Sequence, residues 1–327
     1  MNILGIETSC DETSIALLQD GRIAANEIYS QEIHSAFGGV VPEMASRAHL
    51  GKIDVLCRSV FSKTGLSCNA IDLIAVTDSP GLAGALLVGI SFALGIHCGH
   101  GVPVTGINHL EGHICSILLE HPDIGLPFLA LIVSGGHTSI YKVIDFGDYE
   151  CLGQTIDDAA GEAFDKIGKL LGFNYPAGRA IEQEASLAPA GPLVPFPMAR
   201  MSTSKLDFSF SGLKTSVKYF LQKQGPQYIA ANRALICKSF QNFLVESLAV
   251  NLKAASQQTG IKTIAVVGGV ACNAQLRERM KAQSGLSVFF PSLALCTDNA
   301  AMIAKAGHEL KKRGMLRFPH MAPSAKL

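Results

Sequence analysis

No G-x-x-x-x-G-K-[ST] loop and no G-x-G-x-x-G turn occurs in the 327 residues. Neither a P-loop nor a dinucleotide-binding fold is therefore supported. The nine cysteines are odd in number and include no C-x-x-C pair, which argues against a disulfide framework and for a reducing, cytoplasmic setting. Long apolar runs are missing as well. The longest, Leu82 to Ile96, is broken by Gly84, Gly89, Ser91 and Gly95. It reads as a buried helix opened by Pro80-Gly81, too short to span a bilayer. No basic segment precedes the first apolar residues, and Ile3 to Ile6 is only strand length, so no signal peptide is read. With 17% charged and 48% apolar residues the composition is that of a well-packed globular chain.

Net charge is zero, but it is unevenly placed. Residues 1–150 carry 6 Lys/Arg against 16 Asp/Glu, and residues 151–327 carry 21 against 11. That split suits either a basic half facing a polyanion or two halves attracting one another. The length exceeds one ordinary core, so two lobes are expected.

Three apolar strands each run into a small polar or glycine-rich turn. Ile3 to Ile6 leads to Glu7–Thr13 and a second strand, Ser14 to Leu18. Leu129 to Val133 leads to Ser134-Gly135-Gly136-His137-Thr138 and a strand from Ser139 to Val143. Ile264 to Val267 leads to Gly268-Gly269 and on through Asn273 to a helical stretch at Leu276 to Lys281. The first two share one plan half a chain apart, which reads as a duplicated lobe. Helices are expected at Pro42–Phe61 and Leu82–Ile96, a buried strand at Ile71–Val76, and an excursion at the Pro-rich stretch Pro189 to Pro197. The architecture is α/β, two lobes with a cleft between them.

Glycine lets backbone N–H groups crowd towards an anion, so Ser134–Thr138 and Gly268-Gly269 read either as nucleotide grips or as tight turns. Asp11 and Glu12 are adjacent acids in the first turn, suited to a cation, to proton transfer, or to a solvated Asx turn. Asp157–Lys166 has helical spacing with Asp158, Glu162 and Asp165 on one face. His109-Leu110-Glu111-Gly112-His113 stacks two imidazoles on one helix face, a grip for one metal ion. Its glutamate sits two positions from either histidine and points away from them, unlike that of H-E-x-x-H. A third ligand is needed. Asp298 precedes an apolar helix from Ala300, where it also fits the N-cap.

Together these strings resemble the bacterial tRNA threonylcarbamoyladenosine transferase family over essentially the whole chain. The matching strings are Gly5–Thr13, Gly38-Gly39-Val40-Val41-Pro42-Glu43, His109–His113, Val133–Thr138, Asp157–Lys166, Phe208-Ser209-Phe210-Ser211-Gly212-Leu213-Lys214-Thr215 and Cys296-Thr297-Asp298-Asn299. The resemblance implies the actin, sugar-kinase and heat-shock ATPase superfold, with two duplicated lobes at 1–108 and 109–327 around a central cleft. The final helix, about residues 299–315, is expected to pack back on the N-terminal lobe. It implies transfer of a threonylcarbamoyl group from threonylcarbamoyl-AMP to the exocyclic amine of the adenosine beside the anticodon, in tRNAs reading codons that begin with A. His109, His113 and Asp298 would hold one divalent metal, iron first and zinc as the alternative. Because Asp298 lies near the far end of the chain, that site is expected to need both lobes folded.

By the same resemblance Ile132, Val133, Ser134, Gly135 and Gly136 line the acyl-adenylate site. Asp165, Gly178 and Glu182 meet the ribose end, and Gly268, Gly269 and Asn273 border the adenine. Asp11 and Glu12 are the acidic pair beside the incoming amine. Arg200, Lys205, Lys214 and Lys218, around Phe208 and Phe210, are the expected tRNA face. Expected protein partners are a paralogous subunit lacking the site, on the acidic N-terminal half, and a small P-loop ATPase, with no membrane involved. The chain departs from the family at Ala177-Gly178-Arg179, at Glu182, and in a tail beyond Arg317 without the usual basic, tryptophan-containing ending. A metal-dependent peptidase and a non-catalytic ATP-binding module are the rival readings.

Overall fold

A computed structural model describes residues 1–196 and 206–320. The chain forms two compact units, one from Met1–Ile124, Ile144–Tyr149 and the chain from Pro291 onward, the other from Gly125–Val143 and Glu150–Phe290. Strands and helices are numbered in chain order.

The first unit is built on β1 (Asn2–Glu7), β2 (Glu12–Gln19), β3 (Arg22–Ser30), β4 (Leu73–Ser79) and β5 (Val104–Asn108), in the order β3-β2-β1-β4-β5. β1 runs antiparallel to β2, with Ile6 opposite Ile15, and parallel to β4, which is parallel to β5. Leu4, Ile6, Ile15, Leu17, Ile74 and Val76 meet Ile53, Val60 and Ile90 of α1 (Pro42–Thr64) and α2 (Ala83–His100) in one core. Alternation sends Gly5 to the opposite face. There α10 (Ala300–Arg313) packs so closely that a Cβ on Gly5 would lie 2.2 Å from the Ala300 carbonyl oxygen. Ala300 to Leu310 are all buried. α3 (His109–Ser116) follows β5 without a linker, and α9 (Leu293–Cys296) precedes α10.

In the second unit β6 (Phe128–Val133), β7 (Thr138–Asp145), β8 (Asp148–Gln154), β9 (Thr263–Val267) and β10 (Ser287–Phe289) are ordered β10-β9-β6-β7-β8. β6 pairs antiparallel with β7 and parallel with β9. Reading β6 to β10 for β1 to β5 turns one sheet order into the other, so the duplication expected from the strand and turn plan is present in the topology. The helices of this unit are α4 (Ala160–Leu170), α5 (Gly178–Ser186), α6 (Ser211–Lys223), α7 (Pro226–Thr259) and α8 (Ala274–Lys281).

Three expectations change. The compact units divide the chain differently from a boundary at 108/109, because α3 and the chain from Pro291 belong to the first unit. α2 runs on to His100, which makes it 18 residues and by length and composition able to cross a membrane. Its Ala85, Leu86, Gly89, Ile90 and Ala93 are buried, as in a core helix lying on a sheet. The helix expected from Asp157 starts only at Ala160, so Asp158 does not share its face.

α10 carries a buried charge cluster. Glu309 pairs with Arg313 Nη1 at 2.9 Å, Lys305 Nζ at 3.2 Å and His308 Nδ1 at 3.1 Å. Burial pushes its carboxyl up, but His308, Arg313 and Lys305 outweigh this and hold it well below the usual carboxylate range. A depressed folded pKa contributes stability that is present above the unfolded value of 4.5 and lost as pH falls below it. Glu309→Gln should therefore cost about 2 kcal/mol near neutrality, a difference that shrinks below about pH 4.5. Paired thermal melts across that range check it, and a pH-independent difference would remove the role.

Candidate functional site

α3 starts at His109 because Asn108 caps it, its side-chain oxygen accepting from Leu110 N at 2.9 Å. His109 and His113 then sit one turn apart, ring centroids 4.7 Å from each other and edge to face. Asp298 Oδ1 lies 3.1 Å from His113 Nε2 and 3.6 Å from His109 Nε2. One ligand atom from each of the three falls within 4.8 Å of the others. Behind His109, Glu7 Oε2 meets Nδ1 at 3.0 Å and accepts from Thr77 Oγ1 at 2.7 Å, while Ser9 Oγ lies 3.2 Å from Nδ1. A carboxylate on Nδ1 fixes the ring and leaves Nε2 for a metal. Burial lowers the His109 pKa, but the Asp298 and Glu7 carboxylates outweigh it and raise it to about 9. Burial likewise pushes Glu7 up, and the charge of His109 brings it below its usual value.

The observation that tests a metal here is His113. Among the described residues neither of its buried ring nitrogens has a hydrogen-bond partner, although Asp298 Oδ1 lies 3.1 Å from Nε2. An imidazole is not left so in a packed interior without cost. A cation between the two rings and the carboxylate would give His113 Nε2 a partner, and two imidazoles with one carboxylate form a donor set suited to iron(II) or zinc.

The helix-capping role read for Asp298 belongs to its neighbour. Asn299 Oδ1 accepts from Met302 N at 3.2 Å and caps α10, so Asp298 stands outside the helix. Ser14 Oγ accepts from Ala300 N at 2.9 Å, seating the start of α10 on β2. All three ligand candidates therefore lie in the first unit, and the expectation that their site needs both lobes is not met.

The acidic turn is held from α1. His49, fully buried, places Nε2 2.9 Å from the Cys10 carbonyl and Nδ1 2.8 Å from Thr13 Oγ1, and Gln31 N donates to the Asp11 carbonyl at 3.1 Å. Burial lowers the His49 pKa, which favours its neutral form. Gln31 Oε1 lies 2.9 Å from His34 Nε2, and His34 Nδ1 accepts from Val41 N at 3.3 Å, which ties in the Gly38–Glu43 string. Burial, then the charges of Asp298 and Asp11, push Glu12 well above the usual carboxylate range. Glu7, Gln31, His34 and His49 are supporting residues that sequence reasoning missed. Glu7 stood in a quoted string, and His49 repeats the helical spacing of the buried Ala45 and Ile53.

In the second unit Ile132 and Val133 are fully buried in β6. The turn after them is partly self-bonded. Ser134 N donates to the His137 carbonyl at 2.8 Å, and Gly161 N, opening α4, donates to the Ser134 carbonyl at 3.1 Å. Gly135 and Gly136 are exposed, with open space where a Cβ would stand. Gly268 has φ +96° and comes so near β6 that a Cβ would lie 2.5 Å from the Val133 oxygen, so only glycine fits. Asn273 caps α8 through Leu276 N at 2.9 Å and donates to Gln241 Oε1 at 3.1 Å. Glu182 Oε1 accepts from Ala274 N at 2.6 Å, and Asp165 Oδ1 from Ala177 N at 2.8 Å, just before Gly178. Asp165, Gly178, Glu182, Asn273 and the Gly268-Gly269 turn are thus joined through the starts of α5 and α8.

A protein-family model for tRNA N6-adenosine threonylcarbamoyltransferase matches residues 22–305. The chain belongs to this threonylcarbamoyltransferase family. A relative of that description from Geotalea uraniireducens (strain Rf4) is 49% identical over 94% of this chain and 90% of its own. One from Thermosipho africanus (strain TCF52B) is 44% identical over 96% of each. HypF of T. kodakarensis superposes with a TM-score of 0.67 at 13% identity, covering 97% of this chain and 49% of that one. That likeness shows the fold, the actin, sugar-kinase and heat-shock ATPase class expected from the resemblance.

Membership of the threonylcarbamoyltransferase family agrees with how Glu111 is used. A peptidase would need Glu111 as its base, yet Glu111 is 1% exposed and takes hydrogen bonds from Tyr149 OH at 2.9 Å and Arg317 Nη2 at 2.8 Å. Of the lysines expected on the tRNA face, Lys214 pairs with Asp158 Oδ2 at 2.6 Å, where Asp158 Oδ1 is also taken by Lys166 at 2.6 Å, and Lys218 is exposed. Phe208 and Phe210 are buried and stacked on one another, so they offer no face to a base. Asp157 accepts from Phe210 N at 2.8 Å and caps α6. Arg200, Lys205 and Pro197 lie outside the described residues.

Proposed function

We propose that this chain transfers the threonylcarbamoyl group of threonylcarbamoyl-AMP to N6 of the adenosine next to the anticodon, in tRNAs reading codons that begin with A, with release of AMP. The observation that carries the reading is the buried, unbonded His113 beside His109 and Asp298 in a chain of this family. These three residues hold one divalent ion, iron(II) or zinc, which when bound supplies Lewis-acid polarisation.

N6 attacks the carbamoyl carbonyl, the bond to the phosphate oxygen breaks, and the proton of N6 passes to a carboxylate acting as general base. The acceptor role is assigned to the adjacent carboxyls of Asp11 and Glu12, one taking the proton and the other holding the amine by a hydrogen bond. Ser134 N being engaged, the Gly135 and Gly136 amides are the donors left to stabilise the departing phosphate. Asp165, Gly178 and Glu182 are assigned to the ribose, and Gly268, Gly269 and Asn273 to the adenine. An aryl amine is a weak nucleophile, so placement supplies much of the rate.

tRNA contacts are assigned to the basic half at Lys218, with Arg200 and Lys205, and less to the paired Lys214. A paralogous subunit is assigned to α2, where Ala83, Gly84, Leu86, Leu87 and Ile90 line a pocket of about 310 Å³ and Leu87 is exposed. A small P-loop ATPase completes the assembly, in the cytoplasm.

The test is incubation with unmodified tRNA, threonine, bicarbonate, ATP, an enzyme that forms threonylcarbamoyl-AMP from them, and the partner proteins, followed by nucleoside analysis. Modified adenosine should form, and His109→Ala should lose it. Changing Asp11 and Glu12 together to amides should abolish transfer while threonylcarbamoyl-AMP still binds. Transfer retained by that variant would sink the acid role, and peptide cleavage without tRNA would favour the peptidase.

A further inference from the structure

After α10 the chain lies along β5. Gly106 N donates to the Arg317 carbonyl at 2.9 Å, Arg317 Nε donates to the Gly106 carbonyl at 3.2 Å, and His320 N donates to Asp78 Oδ2 at 3.0 Å. A Cβ on Gly106 would lie 2.0 Å from Asp78 Oδ2 and 2.9 Å from Pro319 Cα, so the strap passes over a glycine. From this strap the Arg317 guanidinium reaches Glu111 Oε2 at 2.8 Å, and Tyr149 OH holds the other oxygen at 2.9 Å. Glu111 is two residues from each histidine and so projects from the back of α3.

We propose that Arg317, with Tyr149, positions the histidine pair by locking the rotation of α3 through Glu111. The proposal rests on the metal reading above. α3 has only eight residues. A rotation of about 20° would swing a nitrogen about 6 Å from its axis through about 2 Å, far beyond the tolerance of a metal–ligand bond. A buried carboxylate held by arginine is a weak source of stability, and its best use is to fix one arrangement. The strap thus makes the tail a part of the metal site that touches none of its ligands.

The test uses the full chain with Zn²⁺ and Co²⁺ as probes. Arg317→Met should weaken Zn²⁺ binding about tenfold in competition with a chelating dye and alter the Co²⁺ ligand-field spectrum, with circular dichroism unchanged. Arg317→Lys should restore most of both. Unchanged affinity and spectrum in Arg317→Met overturn the proposal. If that variant does not fold, Tyr149→Phe removes a single hydrogen bond to Glu111, and an unaltered Co²⁺ spectrum there overturns it equally. Should the unaltered chain bind neither ion, the metal reading itself fails, and this proposal with it.

Discussion

Asp298→Ala should yield a folded chain that holds no metal after dialysis and forms no modified adenosine. Partners behind a ligand alone are worth about ten- to hundredfold in metal affinity, so a ligand itself should cost at least about a hundredfold. The fold should survive because the structural task at this corner belongs to Asn299, whose side chain caps α10. The two imidazoles would remain 4.7 Å apart, but a pair of neutral nitrogens without the carboxylate retains a divalent ion poorly. Metal analysis, a thermal melt and nucleoside analysis on one preparation separate these effects. Full metal content in the variant would exclude Asp298 as a ligand.

Gly5→Val should be a strongly damaging change although Gly5 is not itself a ligand. The first added carbon would lie 2.2 Å from the Ala300 carbonyl oxygen and 2.9 Å from Ala304 Cβ, and the first of these is backbone that cannot rotate away. Relief requires the start of α10 to lift from β1, taking Asn299 and Asp298 with it. Overpacking of this kind costs about 3 kcal/mol, and here the same displacement should empty the metal site. Gly51→Ala is the control: it lies in α1 with open space around a Cβ, and should gain up to about 1 kcal/mol. A Gly5→Val chain with an unchanged melting temperature and metal content would refute the seating of α10.

What could be read from the sequence was local. The strand and turn plan of the two sheets, the histidine spacing and the glycine turns all depend on residues within a few positions of one another. Misreadings came where a distant partner decides. Helical spacing extended α4 back to Asp157, but that carboxylate is taken by the start of α6 and Asp158 by Lys166 and Lys214. Asp298 and Asn299 are equally good caps on paper, and the seating of α10 on Gly5 and Ser14 selects the second. Glu7 supports a histidine 102 positions away, and Arg317 a glutamate 206 positions away. No periodicity carries such information.

The return of α10 to the first unit also sets an order on synthesis. Domains emerging from the ribosome ordinarily close from the N-terminus onward. Here the second unit, Gly125–Val143 with Glu150–Phe290, can be complete while β1 to β5 still lack the helix that covers one of their faces. In the nascent first unit the face of β1 that carries Gly5 stays uncovered until α10 has been made. A ribosome stalled before Asp298 would carry the two histidines without the carboxylate that lies beside them.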